Sequence, residues 1–298
     1  MAIRHKEREV NILITGFGPF MRIDKNPSWL AVKALHNTIL DLNQPPALSS
    51  SRTPSRRTKR ADEAVYEERR ARIQSLQIPV HYASVLDLVP RIHGGKPLLP
   101  QAKFWYDNSL DGIWAGKEGE SYPDGYTELV QKQWDVVIHV GVGRDSSLTC
   151  ETQAHKTGYG KPDAKQEFAP LLPNAARSSV DAKYLDRQGL VRGFGGSAYD
   201  HFNDTERTSI DVPQLVSWLK ERGMASGEVG QSLDPGRYLC DFIFYCSLCE
   251  AKRREDGATV IFIHVPPAGQ NVEVERCRDA IRAVAWYMAE KRSCLAHT

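Results

Sequence analysis

Short runs of β-branched and aromatic residues recur along the chain and predict buried strands. They cover residues 11–15, 78–85, 134–140 and 258–265. Apolar residues spaced three and four positions apart predict amphipathic helices in the stretches between and after them, at residues 29–35, 209–219, 240–249 and 272–290. Strands that alternate with helices indicate an α/β sandwich whose sheet is mostly parallel and covered on both faces.

Polar and loop-rich segments interrupt this alternation. Ser28 is the expected N-cap of the first helix, residues 63–74 favour a charged helix, and residues 156–204 are expected to wrap the surface. Residues 44–76 and 94–122 are predicted insertions in a single domain that spans residues 1–298.

The basic run Ser49–Arg60 is typical of a solvated, mobile loop, although nuclear-localisation and phosphate-binding runs have a similar composition. No aromatic residue is interleaved with its charges to stack on bases, so a nucleic-acid site is disfavoured.

Composition narrows the class of protein. The chain has 298 residues, 41% hydrophobic residues and a net charge of +2, which does not by itself imply a nucleic-acid or membrane partner. No apolar run approaches the roughly 20 residues of a membrane span, and the charged first ten residues contain no secretory h-region. Six cysteines in a chain without a leader predict free thiols, a reducing compartment and a cytoplasmic location.

Cys246 and Cys249 form a C-x-x-C pair, but on a helix they are neighbours one turn apart. The chain has no second paired set of ligands that would complete a structural zinc site. We therefore expect no metal and no other cofactor.

Candidate chemistry gathers where elements begin and end. Cys240 is predicted in the first turn of a helix, where backbone N–H groups and the helix dipole favour a thiolate, although most cysteines are merely small buried hydrophobes. His264 falls where a buried strand meets Pro266 and could serve as its general base. Glu151 is expected in a loop beyond the carboxyl end of the third strand.

Five blocks, in order along the chain, resemble the pyroglutamyl peptidase I family of cysteine peptidases. They are Thr-Gly-Phe-Gly-Pro-Phe at 15–20 with Asn-Pro-Ser-Trp at 26–29, Ile-Pro-Val-His-Tyr at 78–82, His-Val-Gly-Val at 139–142 followed by Glu151, Gly-Arg-Tyr-Leu-Cys-Asp at 236–241, and Phe-Ile-His-Val-Pro-Pro at 262–267. The last two are most similar to the animal-type branch. The resemblance implies a three-layer α/β/α fold, phosphorylase/hydrolase-like, and removal of an N-terminal 5-oxoprolyl residue from peptides.

The resemblance also implies the roles of the site residues. Cys240 matches the nucleophile, His264 the base and then acid, and Glu151 the group that orients the imidazole. On physical grounds, the oxyanion would most simply be held by the backbone N–H groups around Cys240 at the start of the helix. The expected substrate-binding residues are Phe17, Phe20, Asn26, Tyr238 and Leu239. The partners are N-terminal pyroglutamyl peptides, and the oligomeric state, including a homo-oligomer, is left open.

Three departures from the family pattern leave an alternative function open. Met21 and Arg22 replace two frequent glycines, the segment between Val142 and Glu151 is about one residue shorter than in related sequences, and Lys156 replaces a frequent asparagine. The alternative is a protein of the same fold that binds pyroglutamyl peptides but is catalytically impaired.

Overall fold

A computed structural model describes residues 9–20, 23, 25–48, 69–94, 103–105, 114–116, 133–173 and 180–295. The strands in these residues are β1 (Val10–Phe17), β2 (Ile39–Asp41), β3 (Arg70–Ile78), β4 (Lys103–Trp105), β5 (Trp114–Gly116), β6 (Val136–Val142), β7 (Leu148–Glu151), β8 (Gln153–His155), β9 (Thr205–Arg207), β10 (Val229–Ser232) and β11 (Thr259–Val265). The helices are α1 (Pro27–Lys33), α2 (Tyr82–Ile92), α3 (Val212–Glu221), α4 (Leu239–Lys252) and α5 (Val274–Leu295).

Seven strands form the central sheet in the order β10-β7-β11-β6-β1-β3-β2. The four middle strands, β11, β6, β1 and β3, run parallel. β2 is antiparallel to β3, and β7 is antiparallel to β11. The mostly parallel sheet predicted from the alternating pattern is therefore confirmed, with antiparallel pairs added on both sides of its centre.

Two layers of helices cover the sheet, so the three-layer arrangement is also confirmed. Alternate residues of each strand point to opposite faces. In β6, Val136, Ile138 and Val140 pack with α1, α3 and α5, whereas Val137 packs with α2 and α4. We call these the α5 face and the α4 face. Burial on both faces explains the nearly continuous apolar character of the middle strands.

The strand predicted at residues 78–85 is wrong. The strand β3 ends at Ile78, and α2 occupies the second half of the predicted stretch. Because β3 begins at Arg70, the charged helix predicted at 63–74 is also wrong from residue 70 onward. Polar residues of β3 are stabilised by tertiary contacts: the N–H of Ser75 donates to His36 Nδ1, and its hydroxyl donates to the Val32 carbonyl. A local pattern cannot reveal such partners.

The cap of α1 is Asn26 rather than Ser28. The Asn26 side chain accepts a hydrogen bond from the Ser28 N–H, and Pro27 occupies the first helical turn, where its fixed φ suits a helix.

Residues 156–204 do not only wrap the surface, because Tyr159 and Phe194 are fully buried against Phe242 of α4.

The single-domain boundaries and the insertions at 44–76 and 94–122 stay predictions, although residues 70–76 belong to β3. The basic run 49–60 and residues 21 and 22 lie outside the described residues. Among the described helices, none combines the length and apolarity that crossing a membrane requires.

Candidate active site

Cys240 is the second residue of α4, as the sequence predicted. The turn before it is tight: Gly236 has φ 96° and Arg237 has φ 50°, a left-handed conformation that is unusual for a residue with a side chain. Tyr238 is the N-cap and provides no side-chain cap. The first N–H groups of α4, which have no acceptor within the helix, are therefore available to an oxyanion beside the thiol.

A buried ion pair holds this turn in place. The Asp241 carboxylate is fully buried and accepts hydrogen bonds from the backbone N–H and the Nδ1 of His155, both at 2.8 Å. Arg237 Nε lies 3.6 Å from Asp241, and the guanidinium stacks over the Tyr184 ring. Burial raises the pKa of the Asp241 carboxyl, against the lowering effect of the His155 hydrogen bonds. These contacts stabilise the strained Arg237 backbone and fix the start of α4.

His264 lies on β11 and contacts a carboxylate. Its Nδ1 is 2.7 Å from Glu151 Oε1, and both side chains are almost completely buried. Burial alone would lower the pKa of His264, but the charge of Cys240, together with hydrogen bonds to Cys240 and Glu151, raises it to about 10. His264 thus favours its imidazolium form beside the Cys240 sulfur.

Glu151 was expected in a loop beyond a strand, and this prediction is wrong. It is the last residue of β7, which runs antiparallel to β11 and places Glu151 level with Phe262. Thr149 and Glu151 share the α4 face because Leu148 and Cys150 pack on the α5 face. Four residues are too few for periodicity to reveal this strand.

Two glycines, one in β6 and one just after it, make room for the side chains of Cys240 and His264. A Cβ built on Gly141 would lie 2.8 Å from Cys240 Sγ and 2.8 Å from Phe262 Cζ. A Cβ built on Gly143 would lie 2.9 Å from His264 Cβ. The Gly-Val-Gly sequence at 141–143 therefore allows the thiol and the imidazole to lie directly against the sheet.

We expect Gly141→Ala to lower kcat/KM by about 10²-fold, because the new methyl group must displace the Cys240 sulfur or the Phe262 ring. The free energy of unfolding should fall by roughly 1–3 kcal/mol through overpacking. Gly230→Ala in β10 is the matched control, since a Cβ there meets nothing within 4 Å. Equal activities of the two variants, measured on folded protein, would contradict this role of Gly141.

Cys240, His264, Glu151 and Tyr238 all line one cleft of about 650 Å³. The Tyr238 hydroxyl donates to the Pro162 carbonyl, and burial raises its pKa to about 12, so it stays neutral. The other residues of the lining come from the end of β6 and the loop after it, from Thr149 of β7, from residues 161–187, and from Ser232 of β10 with the turn before α4.

The remaining predicted site residues do not line this cleft. Phe17 is 4% exposed and packs in the core of the α4 face, whereas Phe20 is only half-buried there. Asn26 donates to the Gly18 carbonyl and accepts from Ser28, so it braces the loop of the two phenylalanines. The Leu239 side chain is buried in the core.

Gln77 was missed by the sequence analysis. It is buried, it is level with Gly16 in the register of β3 and β1, and neither atom of its side-chain amide has a hydrogen-bond partner in the described residues. An unpartnered buried amide is energetically unfavourable in the absence of a ligand. It falls between the helix predicted at 63–74 and the strand predicted from residue 78, so no local signal identified it.

One cluster in the described part of the chain, His155, Asp234 and Asp241, brings potential metal-ligand atoms within 4.8 Å of one another. Both Asp241 oxygens already accept hydrogen bonds from His155, and Arg237 lies beside them. The cluster is therefore an internal ion-pair network, and it offers poor ligands to a cation.

No protein-family model matches the chain. Pyroglutamyl-peptidase 1 from Mus musculus and that from Homo sapiens are each 26% identical to it over 274 residues, which are 92% of this chain and 87% of each relative.

Two crystal structures are similar in fold. Bacillus amyloliquefaciens pyroglutamyl peptidase I has a TM-score of 0.55 at 18% identity and covers 94% of this chain and 97% of its own. The pyrrolidone carboxyl peptidase from Thermus thermophilus has a TM-score of 0.52 at 18% identity and covers 92% of this chain and 98% of its own. Together, the comparisons show that the chain is similar to pyroglutamyl peptidase I in sequence over nearly its whole length and in fold.

Proposed function

We propose that the protein is a cysteine exopeptidase that hydrolyses the bond after an N-terminal pyroglutamyl residue. The observation that carries the proposal is the contact of His264 with Glu151 on one side and its interaction with Cys240 on the other, within one open cleft. The names of the relatives support the choice of substrate.

The reaction proceeds through a thioester. The Cys240 thiolate attacks the carbonyl carbon that joins pyroglutamate to the next residue, and N–H groups at the start of α4 stabilise the oxyanion. The imidazolium of His264 protonates the leaving amine as the C–N bond breaks. His264, now neutral, removes a proton from water, which attacks the thioester and releases pyroglutamate and the Cys240 thiolate.

The shorter segment before Glu151 does not favour the impaired binding protein. Despite that segment, Glu151 lies within hydrogen-bond distance of His264. The Lys156 side chain, at the position of the frequent asparagine, donates to the carbonyls of Asp200 and Phe202 and so braces the surface loop. Neither departure separates the three catalytic candidates.

The lactam is recognised by apolar walls and by a small number of hydrogen bonds. The half-buried Phe20 is the better candidate of the two phenylalanines for contact with the ring, while Phe17 supports it from the core. Asn26 holds the loop, and Tyr238 lines the cleft next to the nucleophile. The backbone of Leu239 contributes to the start of α4. A charged N-terminal amine would lose its hydration against these apolar walls and is rejected.

We propose that Gln77, whose unpartnered side-chain amide lies at the end of β3 level with Gly16 of β1, supplies the amide that pairs with the lactam. We expect Gln77→Leu to lower kcat/KM for a pyroglutamyl amide by about 10- to 100-fold, because a substrate amide loses its partner. Thermal stability should stay equal or rise, since an unpartnered buried amide is replaced by an apolar group of similar size. Lower stability with unchanged activity would show that Gln77 is structural.

The proposed function is tested with the full chain in reducing buffer. We expect hydrolysis of a fluorogenic pyroglutamyl amide and, for the corresponding glutaminyl and glutamyl amides, at least about 10²-fold lower kcat/KM. Binding of the pyroglutamyl compound without turnover would support the impaired binding protein instead. Comparable cleavage of the uncyclised amides would contradict the lactam pocket.

The proposed partners are peptides with an N-terminal pyroglutamyl residue, and the proposed location is the cytoplasm. Six cysteines without disulfides support a reducing compartment, and four of them, Cys150, Cys246, Cys249 and Cys277, are buried. Fractionation of cells that express the tagged chain tests the location, and recovery in a secreted fraction would contradict it.

A further inference from the structure

We propose that the catalytic cleft continues into a basic subsite that binds a carboxylate in the peptide downstream of the scissile bond. The inference rests on the proposed function and specifies its substrates. A pyroglutamyl residue is the first residue of its peptide, so the rest of the substrate must leave Cys240 on the other side of the scissile bond. The structure provides a continuous space for it.

A second cavity of about 570 Å³ adjoins the cleft that contains Cys240. The two cavities share six lining residues, Arg144, Lys161, Pro162, Arg187, Asp234 and Gly236. The shared wall makes them two parts of one groove.

The second cavity is positively charged. Five basic residues line it, Arg144, Lys161, Lys183, Arg187 and Arg237, against two acidic residues, Asp186 and Asp234.

One of those two acidic groups is already neutralised. Asp186 is buried, accepts hydrogen bonds from the N–H groups of Gln188 and Leu190, and forms an ion pair with Arg192 at 2.7 Å. Because Arg192 lies outside the lining and already pairs with Asp186, the Asp186 carboxylate offers little charge to balance the basic residues of the cavity.

Three of the basic residues have free side chains. Lys183 is close to Asp181, and Arg237 is close to Asp241. By contrast, Arg144, Lys161 and Arg187 are exposed, and within the described ranges no hydrogen bond or ion pair engages their side chains.

These three free cations line the shared wall, next to Asp145 on the catalytic side and Asp234 between the cavities. Asp234 in turn accepts a hydrogen bond from the Gly236 N–H. A peptide carboxylate that passes this wall meets an excess of positive charge, whereas a peptide lysine meets repulsion.

The test uses amidated peptides that differ at one position, pyroglutamyl-alanyl-X-alanine amide with X as aspartate, asparagine or lysine. We expect kcat/KM to be about three- to tenfold higher for aspartate than for lysine, as suits exposed charge pairs. The preference should fall below about twofold when roughly 0.5 M salt screens the groove. The asparagine peptide with a free C-terminal acid shows whether a terminal carboxylate is bound as well.

Two variants test whether the preference for aspartate over lysine arises from the basic residues of the groove. Arg187→Ala and Lys161→Ala should each reduce the aspartate-to-lysine ratio by about two- to fivefold while hydrolysis of the short fluorogenic amide stays unchanged. Lys220→Ala, an exposed lysine of α3, is the matched control. Equal cleavage of all peptides by the wild-type protein would overturn the subsite and leave the proposed function intact, whereas failure to cleave even the short amide would contradict the function itself.

Discussion

Replacing Cys240 by alanine is expected to lower kcat/KM for a pyroglutamyl amide by about 10⁴-fold or more. The change removes the only sulfur that lies in the cleft beside His264 among the described residues, and without it no thioester can form. Removal of a covalent nucleophile leaves only the catalysis provided by the oxyanion donors and substrate binding. Steady-state kinetics with active-site titration measures the loss.

The matched control is Cys294→Ala. Cys294 is an exposed thiol on α5, outside the cleft, and should be dispensable for activity. Alkylation of the folded wild-type protein followed by mass spectrometry should modify Cys240 and Cys294, because the other four thiols are buried. Substantial activity in Cys240→Ala would contradict the assignment of the nucleophile. So would full activity of wild-type protein whose Cys240 has been alkylated.

The start of α4 and the strand β11 could be predicted because their signals are local. A turn of Asp, Pro and Gly precedes the helix of Cys240, and the run of β-branched residues that ends at His264 stops at two prolines. The helix capped by Asn26 also carried a local signal, the Asn-Pro pair, which the assignment to Ser28 overlooked.

The elements that were missed depend on distant partners. The strand β3 contains arginines and glutamines whose neighbours come from α1 and β1, while α2 begins in a β-like sequence and has no side-chain cap at His81. Its residues are helical because their apolar side packs with α4, a tertiary contact that outweighs local preference.

The site residues divide in the same way, into features with a local sequence signal and features that depend on distant parts of the chain. Residue types at the ends of elements identified Cys240, His264 and Glu151, but not the geometry that joins them. Glu151 reaches His264 from an antiparallel strand, and the space for the thiol comes from the missing side chain of Gly141. The space left by a glycine and the missing hydrogen-bond partner of an amide such as Gln77 can be recognised only in the folded structure.

Neutralising the carboxylate in Glu151→Gln is expected to lower kcat by about 10²- to 10⁴-fold. A carboxylate only accepts hydrogen bonds, so Glu151 fixes the hydrogen of the neutral His264 ring on Nδ1 and leaves Nε2 to exchange protons with Cys240 and the leaving amine. A glutamine amide can donate to Nδ1 instead and stabilise the wrong tautomer. Glu151→Asp, which keeps the charge but shortens the side chain, should lose less activity.

The same variant should change the pH dependence of kcat/KM. The pKa of His264 is raised above its ordinary value partly by Glu151, and its imidazolium is lost as the pH rises through that pKa. Without the carboxylate charge the pKa of His264 falls, so the basic limb of the profile should move to lower pH. Glu228→Gln is the matched control, because Glu228 pairs with Arg276 outside the cleft and its loss should leave both limbs in place. An unshifted basic limb in Glu151→Gln would mean that the carboxylate does not act on the imidazolium, and that its role is confined to packing.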